Sequence, residues 1–280
     1  MSALKAFARA AGQLQPPAFA TGSVWLVGAG PGDPGLLTLH ALHGLTKADV
    51  VLHDALVPGE ILSLVDTAWL EPVGKRAGGA RTKQMRINER MIALARQGRR
   101  VVRLKGGDPL IFGRGGEEAM ALAAAGVPFR IVPGISAGIG GVAAAGIPLT
   151  HRSLARSVTF VTGHDSRGGL PEETDFAALG RGADVLVLYM GLRHAGAIAA
   201  RLMEAGRPAD EAVAFVANAT TSQQTVTIAT LATAGAVAVE LPHSAPTLIV
   251  IGPVVALRDV LAPLEATPMT LLPIATSATA

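Results

Sequence analysis

Fourteen residues, Lys105-Gly-Gly-Asp-Pro-Leu-Ile-Phe-Gly-Arg-Gly-Gly-Glu-Glu118, include six glycines and prolines. Glycine at this density lets a backbone take positive φ and approach a ligand with no side chain in the way. Asp108 and Arg114 put one charge of each sign on the same stretch. Asp108 is suited to ribose hydroxyls or a cation. A turn capping the following helix through Glu117 and Glu118 would account only for the second half. A second glycine loop, Val27-Gly-Ala-Gly-Pro-Gly-Asp-Pro34, fails as a dinucleotide fingerprint, because Asp33 stands where the third glycine of G-x-G-x-x-G belongs. Pro31 and Pro34 also remove amide donors that would cradle a pyrophosphate, and no P-loop pattern occurs. Two close-fitting loops poor in phosphate donors suit a ligand with a purine, a ribose and no phosphates.

Other residues offer chemistry singly. Asp54 follows a strand-like run and is either a general base or an N-cap for a helix over Gly59–Val65. Thr150-His-Arg152, with Arg156 nearby, supplies cationic side chains. His151 has no partner at ligand spacing, so no metal is expected. Pro133-Gly-Ile-Ser136 reads as a tight turn at a strand end, for a ligand or between domains. Met190, in Leu188-Tyr-Met-Gly191, packs against an adenine or fills core.

These residues need a scaffold, and the strand-like runs supply one. Val24–Val27, Asp49–His53, Ala68–Val73, Arg100–Leu104 and Phe129–Val132 are rich in Val, Ile and Leu. Gly35–Ala48, Gly59–Val65, Gln84–Gln97 and Glu117–Ala125 lie between them with helical composition. Met85, Ile87, Met91, Ile92 and Ala95 share one helical face. Such alternation predicts a parallel sheet with helices on its faces. A small-residue helix, Ala137–Ala145, then leads to strands at Ser157–Thr162, Asp184–Tyr189, Ala212–Ala217, Thr225–Ile228 and Thr247–Ile251. Helices are expected around Arg193–Ala205 and Ile228–Ala234. Short gaps between the later strands predict antiparallel pairs. The chain therefore divides into a flexible extension (1–21), an N-terminal α/β domain (22–134), a C-terminal α/β domain (135–261) and a flexible tail (262–280). Gly28–Pro34, Asp54, Gly74–Arg76 and the Lys105–Glu118 loop all fall at carboxyl ends of strands, where open α/β sheets bind ligands.

Composition narrows the class. Half of the 280 residues are apolar and 16% are charged, which marks a globular chain. Aromatic residues are only 4%, too few for a single-strand nucleic-acid binder built on stacking. Cysteine is absent, which excludes disulfides, thiolate metal sites and cysteine nucleophiles and is compatible with the cytosol. Residues 1–20 lack a signal-peptide core. The uncharged window Ile131–Thr150 holds too many glycines for a membrane helix. Twelve of the 24 Lys and Arg lie between Lys75 and Arg114, against only Glu89 and Asp108, which points to an anionic partner.

Taken together, Val27–Pro34, Val73-Gly-Lys-Arg76, Val101–Glu118, Pro133–Ser136, Thr150–Arg152 and Leu188–Gly191 resemble the tetrapyrrole methylases over residues 22–260. The resemblance implies two α/β domains with the active site in the cleft between them. It implies S-adenosylmethionine as methyl donor, S-adenosylhomocysteine as product and no metal. The implied reaction is methylation of uroporphyrinogen III at C2 and C7, through precorrin-1 to precorrin-2, for cobalamin or sirohaem synthesis. A cytoplasmic homodimer with no nucleic-acid or membrane partner is expected. Residues 1–21 are too short for the dehydrogenase–ferrochelatase half that some members carry, so the stand-alone form is expected. Carried over by position, the cofactor contacts are Pro31, Gly106, Gly107, Asp108, Ile111, Ser136, Ala137, Met190, Ala219 and Ala245. Asp54 corresponds to the proton acceptor and Lys75 to the donor. Arg114 stays protonated and is therefore a poor base, and is expected to bind carboxylates or stabilise the transition state. Arg76, Arg114, Glu117, His151, Arg152 and Arg156 are the substrate-binding candidates. A later corrin precursor as acceptor, or a non-catalytic tetrapyrrole carrier, are the competing readings.

Overall fold

Val24-Trp-Leu-Val-Gly28 is inaccessible at every position, as a strand covered on both faces must be. The structure, a computed structural model, describes residues 16–65, 68–73, 80–165, 168–171 and 173–261, with only the backbone at 80–83. Five parallel strands form the first sheet: β1 (Val24–Gly28), β2 (Val50–His53), β3 (Trp69–Pro72), β4 (Val101–Lys105) and β5 (Phe129–Val132). Their order is β3-β2-β4-β1-β5. The period-2 alternation of β1 sends Trp25 and Val27 to one face and Val24 and Leu26 to the other. Helices α1 (Leu39–Lys47) and α2 (Gly59–Leu62) cover the Trp25 face with Leu45 and Ile61. Helices α3 (Ala80–Arg96) and α4 (Gly115–Ala124) cover the other with Met91 and Leu122.

The chain crosses to a second sheet through residues 133–137 and helix α5 (Ala137–Ala144). That sheet contains β6 (Val158–Thr162), β7 (Val185–Tyr189), β8 (Ala212–Ala217), β9 (Thr225–Thr230) and β10 (Thr247–Ile251), in the order β6-β7-β10-β8-β9. β6 and β7 are parallel, whereas β10 runs antiparallel to β7 and β8, and β8 and β9 form an antiparallel pair. Val142 of α5 and Ile147 pack on one face. Helices α6 (Phe176–Gly182), α7 (Ala195–Glu204) and α8 (Ala234–Glu240) pack on the other through Phe176, Ile198 and Ala238. A short α9 (Arg258–Leu261) ends the described chain. Among the described residues no helix is long and apolar enough to cross a membrane.

Three elements differ from the sequence expectation. β9 continues to Thr230 and the helix starts only at Ala234, because β-branched Thr225, Val226, Thr227 and Ile228 favour the pleat. Helix α6 was not expected, since Gly180 and Gly182 mask it; its signal is Asp175, whose carboxylate accepts from the Ala178 amide at 2.9 Å. Met85 leaves the apolar stripe of α3 and is 55% exposed, while Met91 and Ala95 are buried.

Glycine sets the closest approach in the first sheet. A Cβ built on Gly134 would stand 2.3 Å from the Gly107 carbonyl oxygen, and one on Gly28 2.5 Å from it. Gly116, by contrast, is exposed on α4 with nothing within 4 Å. Gly134→Ala should therefore lower stability in urea unfolding by about 2–3 kcal/mol. Gly116→Ala should be neutral or stabilising by up to about 1 kcal/mol.

Candidate functional site at the junction of the two sheets

The carboxyl ends of the first sheet gather the glycine loops. Ala29 donates to the Lys105 carbonyl at 2.7 Å, and Gly30 and Gly107 exchange backbone hydrogen bonds at 3.2 and 2.8 Å. Gly107 needs glycine, with φ at +65°. Asp108 is engaged by backbone: its carboxylate accepts from Leu110 at 2.8 Å and from Gly134 at 3.1 Å. The loop of 106–112 is thereby tied to the crossover at 134–137.

The second sheet closes on the same place. Asp33 donates its amide to Thr220 Oγ1 at 3.0 Å, and Tyr189, at the end of β7, bonds Ser136 Oγ at 2.6 Å. Phe112 packs its ring 4.9 Å from that of Tyr189. The junction thus brings together the segments of Pro31, Gly106, Gly107, Asp108, Ile111, Ser136, Ala137, Met190 and Ala219. Ala245 lies in the turn where Pro246 accepts the Asn218 amide at 3.0 Å. Leu56, Leu110, Ile111, Phe112 and Met190 are large apolar side chains left exposed on these loops. Exposed apolar surface of this kind marks a ligand surface.

Below the glycine loop lies a buried charge cluster that sequence reasoning missed. Arg103 and Lys105 are two apart on β4 and so point to one face, each only 2% exposed. Glu118 of α4, fully buried, accepts through Oε1 from Arg103 Nε at 3.0 Å, Lys105 Nζ at 3.1 Å and Gln84 Nε2 at 3.0 Å. Arg103 also pairs with Asp54, whose other oxygen is 3.6 Å from Lys105 Nζ. Burial and the neighbouring Arg103 charge push the Lys105 pKa below the usual lysine value, with Glu118 and Asp54 opposing. The available signal was two cations alternating within an apolar strand, thirteen residues before an acid on the next helix.

Asp54 is no helix cap: the N-cap of α2 is Pro58, with no side-chain cap, and Asp54 is held by the two cations with its side chain 32% exposed. It is the accessible end of the cluster, able to accept a hydrogen bond or a proton. Arg114 sits at the N-cap of α4 with φ at +61° and donates to Glu117 at 3.0 Å. That hydrogen bond holds the Glu117 carboxyl below its usual pKa and raises that of Arg114.

His151 and Arg152 lie in an exposed turn closed by the pairing of His151 with Ala155. Arg156 is not brought to the junction. Its amide is bonded to Asp184 at 2.7 Å, at the opposite end of β7 from Tyr189. Lys75 and Arg76 lie outside the described residues.

Known proteins resemble this chain in sequence and in fold. The family model of the tetrapyrrole (corrin/porphyrin) methylases matches residues 23–235. A uroporphyrinogen-III C-methyltransferase of Sinorhizobium is 55% identical over 246 residues, 88% of each chain. A sirohaem synthase of Neisseria meningitidis is 52% identical over 86% of this chain, which spans only 49% of that longer protein. Among solved structures, uroporphyrin-III C-methyltransferase from Thermus thermophilus, complexed with S-adenosylhomocysteine, superposes with a TM-score of 0.74 at 40% identity. That match covers 84% of this chain and 99% of the other. With the family model matched over most of its length, the chain belongs to the tetrapyrrole methylases.

Proposed function

We propose that this protein transfers methyl groups from S-adenosylmethionine to C2 and C7 of uroporphyrinogen III, giving precorrin-2 by way of precorrin-1. The product would serve cobalamin or sirohaem synthesis. The observation that carries the reading is the glycine-walled junction set directly above a buried charge cluster whose accessible end is Asp54. The Sinorhizobium relative and the Thermus structure support the same donor and acceptor. Each sheet with its helices is taken as one domain, divided near 134, with the ligands in the cleft between. A cytoplasmic homodimer is part of the reading, as the family resemblance implies.

The residues fit the methyl donor. A Cβ on Gly106 would meet only Leu56, at 3.6 Å, so the backbone there is open to a ligand. Gly107 lies against Ser136 and Ala137, and the apolar Ile111 and Met190 flank the same loops. Bound here, S-adenosylmethionine would supply a methyl group activated by its sulfonium. Gly106, Gly107, Asp108, Ser136, Ala137 and Ala219 would hold it, with Pro31, Ile111, Met190 and Ala245 at the margins.

The chain's own work is then alignment and proton handling. A porphyrinogen pyrrole is already an electron-rich carbon nucleophile, so positioning is the main term. A proton must leave a meso carbon after methylation, and Asp54 is the carboxylate assigned to receive it, oriented by Arg103 and Lys105. Arg114 is assigned to substrate carboxylates, with Glu117 fixing its guanidinium. Lys75 as proton donor, and Arg76, His151 and Arg152 as carboxylate partners, complete the proposal.

Anaerobic incubation with uroporphyrinogen III and S-adenosylmethionine should give a tetrapyrrole heavier by two methyl groups. Unmethylated tetrapyrrole from protein that binds S-adenosylhomocysteine would overturn the reading. Arg114→Ala and Asp54→Asn should each slow methylation by about 100-fold while leaving S-adenosylhomocysteine affinity within about twofold. Gly107→Val, which puts a β-branched residue at φ +65°, should instead abolish binding of S-adenosylhomocysteine in calorimetry.

A further inference from the structure

Ser136 stands at the N-cap of α5 with extended backbone, φ −65° and ψ 142°. A serine there ordinarily accepts from the second or third amide of its own helix. Ser136 makes no such bond. The Gly138 amide donates instead to the hydroxyl of Tyr189, at 2.7 Å, and the same hydroxyl is the 2.6 Å partner of Ser136 Oγ. Gly138 leaves room for this, since a Cβ on it would stand 2.3 Å from the hydroxyl oxygen. Tyr189, the chain's one tyrosine, is flanked by the rings of Phe112 and Phe160.

Counting protons gives the network a direction. A phenol carries one proton and accepts through its oxygen. Burial raises the pKa of Tyr189, so it stays protonated at neutral pH. Having accepted from Gly138, it has Ser136 Oγ as the near acceptor for its own proton. With the Gly138 amide already on the phenol oxygen, Ser136 Oγ at 2.6 Å is the nearest acceptor for that proton. In that direction Ser136 accepts, and its own hydroxyl proton is spare. The serine backs onto the glycine loop, its Cα 3.7 Å from a Cβ built on Gly107.

We propose that Tyr189 is a positioning residue for the methyl donor: by taking over the cap of α5 and donating to Ser136, it fixes the orientation of the serine hydroxyl so that its proton is aimed at an acceptor atom of the bound nucleoside. This inference rests on the proposal that the cleft takes S-adenosylmethionine.

Calorimetry with S-adenosylhomocysteine on the full chain tests it. Tyr189→Phe, which keeps the ring, and Ser136→Ala should each weaken binding about tenfold. The double variant should bind no more weakly than Ser136→Ala alone, because Tyr189→Phe acts only through the hydroxyl that Ser136→Ala removes. Tyr189→Phe should still lower the melting temperature in the Ser136→Ala background, where it no longer affects binding. A tyrosine with only a structural role would give losses that multiply to about 100-fold, and that result overturns the inference. Unchanged binding by Tyr189→Phe overturns it as well. Should that variant not fold, Ser136→Thr must keep binding within about threefold while Ser136→Ala loses about tenfold; equal binding by wild type and Ser136→Ala overturns the inference. Wild-type protein that binds no S-adenosylhomocysteine would sink the cofactor reading itself, and this inference with it.

Discussion

Backbone meets backbone where β1, β4 and β5 end. The Gly107 carbonyl lies so close to Gly28 and Gly134 that a single methyl group on either glycine would occupy its space. Steric repulsion leaves few other ways for these three segments to run. Once they are in contact, Gly30 and Gly107 can pair, and Asp108 can reach the Gly134 amide. The crossover then emerges at Ser136 beside Tyr189, and the second sheet is docked against the loops of the first. Replacing this contact with side chains would move those segments apart by more than a hydrogen bond tolerates.

The charge cluster under the loop follows from the same geometry. β4 runs with the α3–α4 layer on one face, so its Arg103 and Lys105 point into that face, where they meet the buried Glu118. Taking charges from water is expensive unless they are paired and hydrogen-bonded. Glu118 supplies the pairing with one oxygen, while its Oε2 is buried without a hydrogen-bond partner among the described residues. A hydrophobic strand of the same shape would be at least as stable. The cluster is better understood through what it holds: Asp54, gripped at both oxygens and still partly exposed, has its carboxylate fixed at the edge of the junction.

Local patterning made the strands legible, because buried parallel strands are continuous apolar runs bounded by glycine and proline. The loops were legible for the same reason: Gly28–Pro34 and Lys105–Glu118 break that pattern with residues no core requires. The contacts between them were not. Ser136 and Tyr189 are 53 residues apart and Arg103 and Asp54 are 49 apart, and nothing in either neighbourhood announces the partner. Met85 fits the helical period yet falls outside the covered arc, since periodicity fixes a face but not how wide a neighbouring layer is. Arg156 appeared beside His151 and Arg152 as one cationic group, but β6 begins there and runs to the junction at its other end.

Strain locates the same place independently of composition. Phe112, Arg114, Met190, Asn218 and Thr220 are the non-glycine residues with positive φ among those described, and all of them belong to loops at the junction. Each such conformation costs about 1 kcal/mol or more, so it persists only where surrounding contacts impose it. The contacts are identifiable: the Phe112 ring is held against Tyr189, Arg114 is tied to Glu117, and Thr220 is bonded to Asp33 and Gln224. Met190 follows Tyr189 directly and sits where Gly163 and Gly191 pack backbone to backbone. One loop from the first sheet and two from the second are therefore held in unfavourable geometry by contacts across or along the junction. A fold selected for stability alone would have relaxed these residues or made them glycine. Their retention as an aromatic ring, a guanidinium, a thioether, a carboxamide and a hydroxyl fits a surface whose side chains meet a ligand.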